Sequence, residues 1–397
     1  MVSFLHAADL HLGLRITRFS TDIAKRVREA RFQALEKIRA AADEQRVDFV
    51  LIAGDLFDDH AVDGDIAKRA FDLLESFPAP AYVLSGNHDP LLAGAIWDRP
   101  PWNTPRPKKL CVLREATPVE IVPGVVLFPC PVFRKTSTAD PTAWIATAPV
   151  DAGPIRIGIA HGSLKVRDDL PLDDHLIARH AAHECKLDYL ALGHWHSRQH
   201  FAGPDGVERT AYPGVHEPLR FPGSSESRTG WVPYSHVRRE EFLDSGHGEI
   251  LHVRIDRPGA PPVLQALEVS HLVWREERYD LTSEEQMSRL IDQVAVNPLA
   301  ERCLLRLRLE GILEAQAMLR LEQLRAVVDR YLFAELDDTK LRLQPGEDEI
   351  RQVAGDGVLR RVLEQLQQEA SVAEPEVRRL AERTILLLYQ IAHEVGA

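Results

Sequence analysis

The chain has 397 residues, 45% of them hydrophobic and 27% charged, which excludes end-to-end disorder and suffices for two or three domains at roughly 150 residues each. Asp and Glu outnumber Lys and Arg 60 to 48, and the net charge of −12 counts against a polyanionic partner unless cations or a local basic patch offset it. Cys111, Cys130, Cys185 and Cys303 form no C-x-x-C pair, which argues against a disulfide framework and a thiolate zinc site. No apolar run approaches the roughly 20 residues of a membrane span, and the opening Val2-Ser3-Phe4-Leu5-His6 does not read as an export signal. A cytoplasmic protein without a membrane partner is expected.

In chain order, β-rich runs predict strands over residues 2–7, 49–53, 81–84, 155–160 and 187–192, and helical periodicity predicts helices over 23–42 and 66–76. Strands alternating with helices define a layered α/β domain. Residues 117–129 and 198–256 break into successive strands at Pro123-Gly124, Gly203-Pro204 and Pro213-Gly214, which adds antiparallel sheet. The Pro-rich stretch 257–262 predicts the end of a first domain at 256. Residues 263–344 then read strand, strand, helix, strand, helix, strand, a compact α+β domain. After Pro345-Gly346, residues 346–397 form a helical segment in which 358–369 and 376–393 each carry an apolar face. Packing on the second domain and docking a partner are equally compatible with those faces.

Five short motifs fall where strands should end: Asp9-Leu10-His11, Gly54-Asp55-Leu56-Phe57-Asp58, Gly86-Asn87-His88-Asp89, Ala160-His161-Gly162 and Gly193-His194-Trp195-His196. Loops leaving the C-terminal ends of strands in an α/β sheet converge on one crevice, so these distant residues can share a site. Seven of them, Asp9, His11, Asp55, Asn87, His161, His194 and His196, are metal-ligand types. Carboxylate, amide oxygen and imidazole together suit manganese, iron or zinc better than magnesium or calcium. In D-x-H and H-x-H on extended backbone, residues i and i+2 point the same way. A two-oxygen carboxylate such as Asp55 can bridge two ions about 3.5 to 4 Å apart. Taken singly, a His-x-His is more often a surface or core pair, and a post-strand Asp more often a turn or helix cap. Five such motifs in this order leave little room for that bland reading.

The blocks resemble the calcineurin-like metallophosphoesterase pattern D-x-H, G-D-x-x-D, G-N-H-D/E, H, G-H-x-H. The resemblance implies a four-layered α/β/β/α sandwich and two divalent ions, manganese being the family expectation. It assigns Asp9, His11, Asp55 and His196 to the first ion and Asp55, Asn87, His161 and His194 to the second. It further implies in-line hydrolysis of a phosphoester, with His88 as a catalytic residue that binds no metal and Asp58 as the carboxylate orienting it.

Within that superfamily, His6-Ala7-Ala8-Asp9-Leu10-His11-Leu12-Gly13, the run 51–58, the run 189–196, and Tyr212-Pro213-Gly214 with Pro218-Leu219 resemble the double-strand-break repair nucleases: the meiotic recombination eleven nuclease, SbcD and the YhaO group. The similarity runs to about residue 221. It implies a DNA exonuclease and endonuclease acting on single strands and duplex ends, a small capping domain, and helices that bind an SMC-like ABC ATPase. It also implies a homodimer, for which helix 66–76 is the candidate surface. Asp58 stands where archaeal members carry a histidine and agrees with the bacterial branch. Val215-His216 replaces the Ser-Pro expected after Gly214, a departure in the substrate-side loop.

Candidate phosphate contacts are Arg15, Arg18, Lys165, Arg167 and Arg220 near the motif loops, and Lys108 and Lys109 in a stretch where Arg99, Arg106, Lys108, Lys109, Arg114, Arg134 and Lys135 face only Glu115 and Glu120. A solvated surface charge is the ordinary fate of each. The same site could also serve a phosphodiesterase acting on cyclic nucleotides or another small phosphoester. A protein phosphatase is disfavoured, because Asp59 and Asp89 stand where G-D-x-x-D-R-G and G-N-H-E require Arg and Glu.

Overall fold

The structure is a computed structural model that describes residues 1–104, 109–148, 153–166, 171–172, 174–221, 248–343 and 358–372, with scattered positions up to 388. Its contacts divide the chain into two compact units, 1–274 and 275–397.

The first unit opens β1 (Val2–Ala7), α1 (Thr21–Glu44), β2 (Phe49–Ala53), α2 (Gly64–Glu75), β3 (Ala81–Leu84). The helical crossovers make the three strands parallel, and β4 (Leu110–Leu113) extends them in the same sense. On the other edge, β11 (Glu249–Ile255) pairs antiparallel with β1, and β12 (Val263–Glu268) pairs antiparallel with β11. A second six-stranded sheet has the order β5-β6-β7-β8-β10-β9, comprising β5 (Val119–Val122), β6 (Val125–Cys130), β7 (Ile155–His161), β8 (Tyr189–Gly193), β9 (Gln199–Ala202) and β10 (Glu208–Tyr212). In it β6, β7, β8 and β10 are parallel and the two edge strands antiparallel.

Every residue of β2 is buried, as a strand covered on both faces must be. Side-chain alternation sends Val50 and Ile52 toward Leu35, Ile38, Phe71 and Leu74 of the helices. It sends Phe49, Leu51 and Ala53 between the sheets with Phe4, Ile157, Ile159 and Tyr189. Phe4 stacks on Phe49 with ring centroids 4.9 Å apart. The outer face of the second sheet offers Phe128, Leu190 and Leu192 to Ile145 and to α3 (Ala181–Glu184). Helices, sheet, sheet and a thin helical layer make the expected α/β/β/α sandwich. Each fully buried Leu, Ile or Phe contributes about 1.5–3 kcal/mol, so this double-faced burial dominates the stability.

Helix α2 follows the same logic. Asp63 caps it by accepting the Asp65 N–H at 2.9 Å, and Ala67, Ala70, Phe71 and Leu74 face inward. Lys68 and Asp72 pair along its outer face, so the surface expected to make a dimer is charged.

The structure corrects the domain boundary. Residues 257–262 are the connection of the β11–β12 hairpin, and the strand expected to open the second domain is the edge of the first sheet. Pro and Gly mark tight reversals within a sheet as readily as linkers between domains. Strand β4 was not expected from the sequence.

The second unit is built on the sheet β13 (Val273–Leu281), β14 (Cys303–Leu313), β15 (Phe333–Leu343), with β14 and β15 parallel. Helix α4 (Glu284–Ala295) is capped by Ser283, whose side chain accepts the Gln286 N–H. Short helices α5 (Ala315–Leu319) and α6 (Leu321–Val328) precede β15, and α7 (Val358–Val372) follows it. Much of the expected helix 376–393 lies outside the described residues. Among the described residues no helix is long and apolar enough to cross a membrane, and the four cysteines are free thiols.

Candidate metal centre

All seven expected ligands leave the C-terminal ends of β1, β2, β3, β7 and β8, where the two sheets meet. The turns that aim them are unusual. Asp9, His11 and Asp55 adopt φ of +55°, +43° and +50°, and His194 +108°. Such values strain residues that carry a Cβ, and they persist only where surroundings over-determine them. Here the β1 and β2 loops continue pairing past the strands: Asp9 N–H donates to Gly54 O at 3.1 Å, His11 N–H to Asp55 O at 2.9 Å, and Leu12 N–H to Leu56 O at 2.9 Å. Gly54 is required because a Cβ there would stand 2.1 Å from Nδ1 of His161.

Four residues to which the sequence assigns no role, Arg31, Asp89, His216 and Glu217, complete this scaffold. Arg31, buried on α1, donates to Leu10 O at 2.8 Å and to Glu217 O at 3.2 Å, clamping the D-x-H turn from behind. His216 contacts Arg31 O at 3.0 Å through Nε2, and the Glu217 carboxylate accepts the His271 and Leu272 N–H groups at 2.6 and 3.0 Å. The departure from Ser-Pro at 215–216 therefore belongs to this buried network. Asp89 accepts from Phe57 N at 2.9 Å and from Gly86 N at 2.6 Å, tying the β2 loop to the β3 loop.

The side chains converge as acceptors. His161 must carry its proton on Nδ1, which lies 2.9 Å from Ala53 O, so its Nε2 lone pair faces Asn87 Oδ1 at 2.8 Å and Asp55 Oδ2 at 3.3 Å. Three acceptors around one point need a proton or a cation between them. His194 Nδ1 stands 3.2 Å from the same Asn87 oxygen. His11 Nε2 lies 3.2 Å from His196 Nε2 and 3.8 Å from Asp55 Oδ2. Ligand atoms of Asp9, His11 and His196 form one group within 4.8 Å, and those of Asp9, Asp55 and His161 another, so Asp9 reaches both. This donor set fits a divalent-ion centre in which carboxylates lie between two positions.

The charges agree. Burial, with Asp55 adding to it and His161 opposing, pushes the Asp9 carboxyl up to about 8. Burial disfavours the His161 cation, but the Asp55 and Asp9 carboxylates outweigh it and raise that imidazole to about 10. Burial also works against the Asp55 anion, yet His161, His11 and His88 hold its pKa below the ordinary range. Burial keeps His11 and His196 below the usual histidine value. At pH 7 the metal-free centre thus holds protons on Asp9 and His161 where ions would stand, and binding must expel them. Apparent divalent-ion affinity is expected to rise with pH by up to about two decades per unit near pH 7, and less steeply above 8 once Asp9 has ionised. Calorimetric titration with Mn²⁺ in buffers of different ionisation enthalpy measures the protons released, and a count near zero would contradict this assignment.

His88 differs from the seven. Its side chain is 32% exposed, its Nδ1 lies 2.9 Å from the backbone oxygen of Asp58, and its N–H donates to Asp55 Oδ1 at 2.9 Å. The Asp58 carboxylate stands 3.8 Å from His88 Nδ1 but 3.2 Å from His11 Nδ1. Asp58 therefore orients His88 through its carbonyl, and its carboxylate sits closer to a metal ligand than the expected dyad required. Burial opposes that anion, but His11 and His88 draw its pKa below the ordinary value.

The candidate phosphate contacts scatter. Arg18 donates to Leu219 O at 2.8 Å and lies 4.8 Å over the Trp274 ring. Arg15 lines a cavity of about 220 Å³ with Asp58, Asp59, Asp63, Val62 and Ile66. Lys165 and Arg220 lie in loops after β7 and β10. Lys109 precedes β4 and its Nζ is 3.5 Å from Phe77 O, at the opposite end of the parallel strands from the ligands. That position removes Lys109 from a path beside the metals. Lys108 and Arg167 lie outside the described residues. Arg99 and Arg114 of the same basic stretch are engaged with the Gly94 and Trp102 carbonyls.

This sandwich, with ligands drawn from the ends of both sheets, is the architecture of a metallophosphoesterase, and residues 2–198 match the family described as calcineurin-like phosphoesterase. The matched segment lies within the first unit, and all seven expected ligands, His88 and Asp58 fall inside it. A curated relative, the uncharacterized metallophosphoesterase YhaO of Bacillus subtilis (strain 168), is 26% identical over 313 residues. That match covers 74% of this chain and 66% of the relative, just under two thirds of its length.

Proposed function

We propose that the chain is a metal-dependent phosphodiesterase whose substrate is DNA, cut at strand ends. The observation that carries the hydrolytic reading is the convergence of seven ligand-type side chains, five of them buried and Asn87 and His196 partly exposed, beside the partly exposed imidazole of His88. The choice of DNA is supported by the blocks at 6–13, 51–58 and 189–196, which resemble the repair nucleases.

When bound, two divalent ions, manganese by family resemblance, supply Lewis-acid polarisation of the phosphoryl oxygens and activation of the attacking water. The protein's own part is orientation and proton handling. The Asp58 carbonyl keeps a proton of His88 on Nδ1, which leaves Nε2 as the ring nitrogen that can serve a substrate. With a second proton on Nε2, the His88 imidazolium can hold charge on the phosphoryl group or pass that proton to the departing oxygen, returning to the neutral Nδ1–H form. Leu10 and Leu12, both fully buried, set a dry floor under the D-x-H turn, where charged contacts gain strength.

The ATPase partner is part of the same proposal. Val358 and Val362 on α7 are 70% and 39% exposed, a face suited to packing against a second protein. Incubation of the purified protein with Mn²⁺ and either linear duplex DNA, single-stranded DNA or 2′,3′-cyclic nucleotides tests the substrate. Release of nucleotides from DNA is the expected result; turnover of cyclic nucleotides alone would replace DNA with a small phosphodiester.

A further inference from the structure

Behind His194, on the side away from the converging ligands, stands a carboxylate that no motif marks. Asp174 Oδ1 is 3.1 Å from Nε2 of His194. Its other oxygen accepts the Ser163 hydroxyl at 2.5 Å, and that hydroxyl oxygen accepts the indole N–H of Trp195 at 3.1 Å. Trp195 is itself fixed by stacking on Tyr212, with centroids 4.5 Å apart and planes 16° from parallel. The Tyr212 hydroxyl accepts the Leu164 N–H and donates to Gly162 O, each at 2.8 Å. Backbone bonds complete the frame: Ser163 N–H donates to Asp174 O at 3.3 Å and Ile177 N–H to Ser163 O at 2.9 Å. The loop packs so closely that a Cβ on Gly162 would lie 2.2 Å from His175 O. Asp174 is therefore held at both carboxylate oxygens and at its backbone by the exits of β7 and β8.

We propose that Asp174 is a positioning residue for the metal centre, one that fixes His194 in the Nε2–H tautomer and so presents the Nδ1 lone pair to a divalent ion. This rests on the metal-centre reading above. A neutral imidazole has one ring proton, and a carboxylate beside Nε2 claims it as a donor. Nδ1 is left as the acceptor, and it is Nδ1 that faces Asn87 Oδ1 at 3.2 Å, where two acceptors call for a cation between them. The negative charge also makes the imidazole a stronger ligand, the usual effect of a carboxylate behind a metal-binding histidine. Across the site, His161 achieves the opposite tautomer with Ala53 O at its Nδ1, so the two imidazoles offer different nitrogens to the same amide oxygen.

Full-length protein stripped by chelator is titrated with Mn²⁺ as wild type, as Asp174→Asn, which keeps the volume, and as Asp174→Ala. A loss of about tenfold or more in affinity for one ion is expected for Asp174→Ala, with a smaller loss in the same direction for Asp174→Asn. The melting temperature of the metal-free protein is read alongside, since a merely structural role would lower it without separating the two ions. Long-range ¹⁵N–¹H spectra of ¹⁵N-histidine protein, with His194 assigned by His194→Gln, report the tautomer directly. Wild type is expected to show Nε2–H at His194, and Asp174→Ala to lose that signature. Unchanged affinity in both variants, or an unchanged His194 tautomer in Asp174→Ala, would overturn the assignment. If wild type takes up no divalent ion, the metal-centre reading fails, and the tautomer spectrum still decides the role of Asp174.

Discussion

Gly86→Ala is expected to reduce phosphodiester hydrolysis by about 100-fold or more, and to lower divalent-ion uptake in parallel. A Cβ at this position would stand 2.0 Å from Asp55 Oδ1 and 2.4 Å from Asp55 N. Neither neighbour can yield cheaply. The Asp55 backbone accepts the His11 N–H at 2.9 Å, and the Gly86 N–H is held by Asp89 Oδ1 at 2.6 Å. Relief must come from parting the β2 and β3 loops, which displaces Asp55 from Asn87 and His88 together. Displacement of a reacting group by about 1 Å suffices for a hundredfold loss. Gly64→Ala is the matched control, because nothing lies within 4 Å of a Cβ there, and it should leave turnover and ion uptake as they were. Wild-type turnover in Gly86→Ala, measured with saturating Mn²⁺, would mean that the two loops do not set the geometry of the centre.

The candidate ligands could be read from the sequence because each is local to a strand end: D-x-H, G-D-x-x-D, G-N-H-D and G-H-x-H all fit within one extended run or turn. Alternation also placed β1, β2 and β3 correctly, since residues buried on both faces leave an unbroken apolar run. What stayed hidden acts across the chain. Arg31 reaches Leu10 O from 21 residues away and Glu217 O from 186 away, and on α1 it looks like any helix arginine. Asp174 sits in a loop with no periodicity and meets His194 only in three dimensions. The Asp58–His88 pairing was read from side-chain types, but the bond to His88 is made by a carbonyl, which every residue has. The misplaced domain boundary has a similar cause, because Pro258, Gly259, Pro261 and Pro262 specify a reversal without specifying what lies on either side. For Lys109, clustering of like charge carried no information about which end of the parallel strands it occupies.

His88→Asn is expected to lower kcat for DNA hydrolysis by about 10²–10⁴ while ion uptake stays unchanged. The argument is the division of labour among the histidines. His11, His161 and His194 are buried and His196 is partly so, whereas His88 keeps 32% of its side chain exposed and has its Nδ1 occupied by the Asp58 carbonyl at 2.9 Å. Asparagine retains a polar group of similar reach near that carbonyl but no ring nitrogen that can move a proton. The loss should therefore depend on the leaving group. With DNA the departing oxygen is a poor leaving group and needs a proton; with a bis(p-nitrophenyl) phosphate ester it does not, so the variant should lose much less activity on that substrate. Equal losses on both substrates would make His88 a stabiliser of phosphoryl charge, and a fall in ion uptake would make it a ligand. Asp58→Asn should be the milder change for turnover, because the bond that orients His88 comes from the backbone of Asp58 and survives the substitution. Its principal effect should appear at His11, whose Nδ1 lies 3.2 Å from the carboxylate being neutralised, as weaker ion binding.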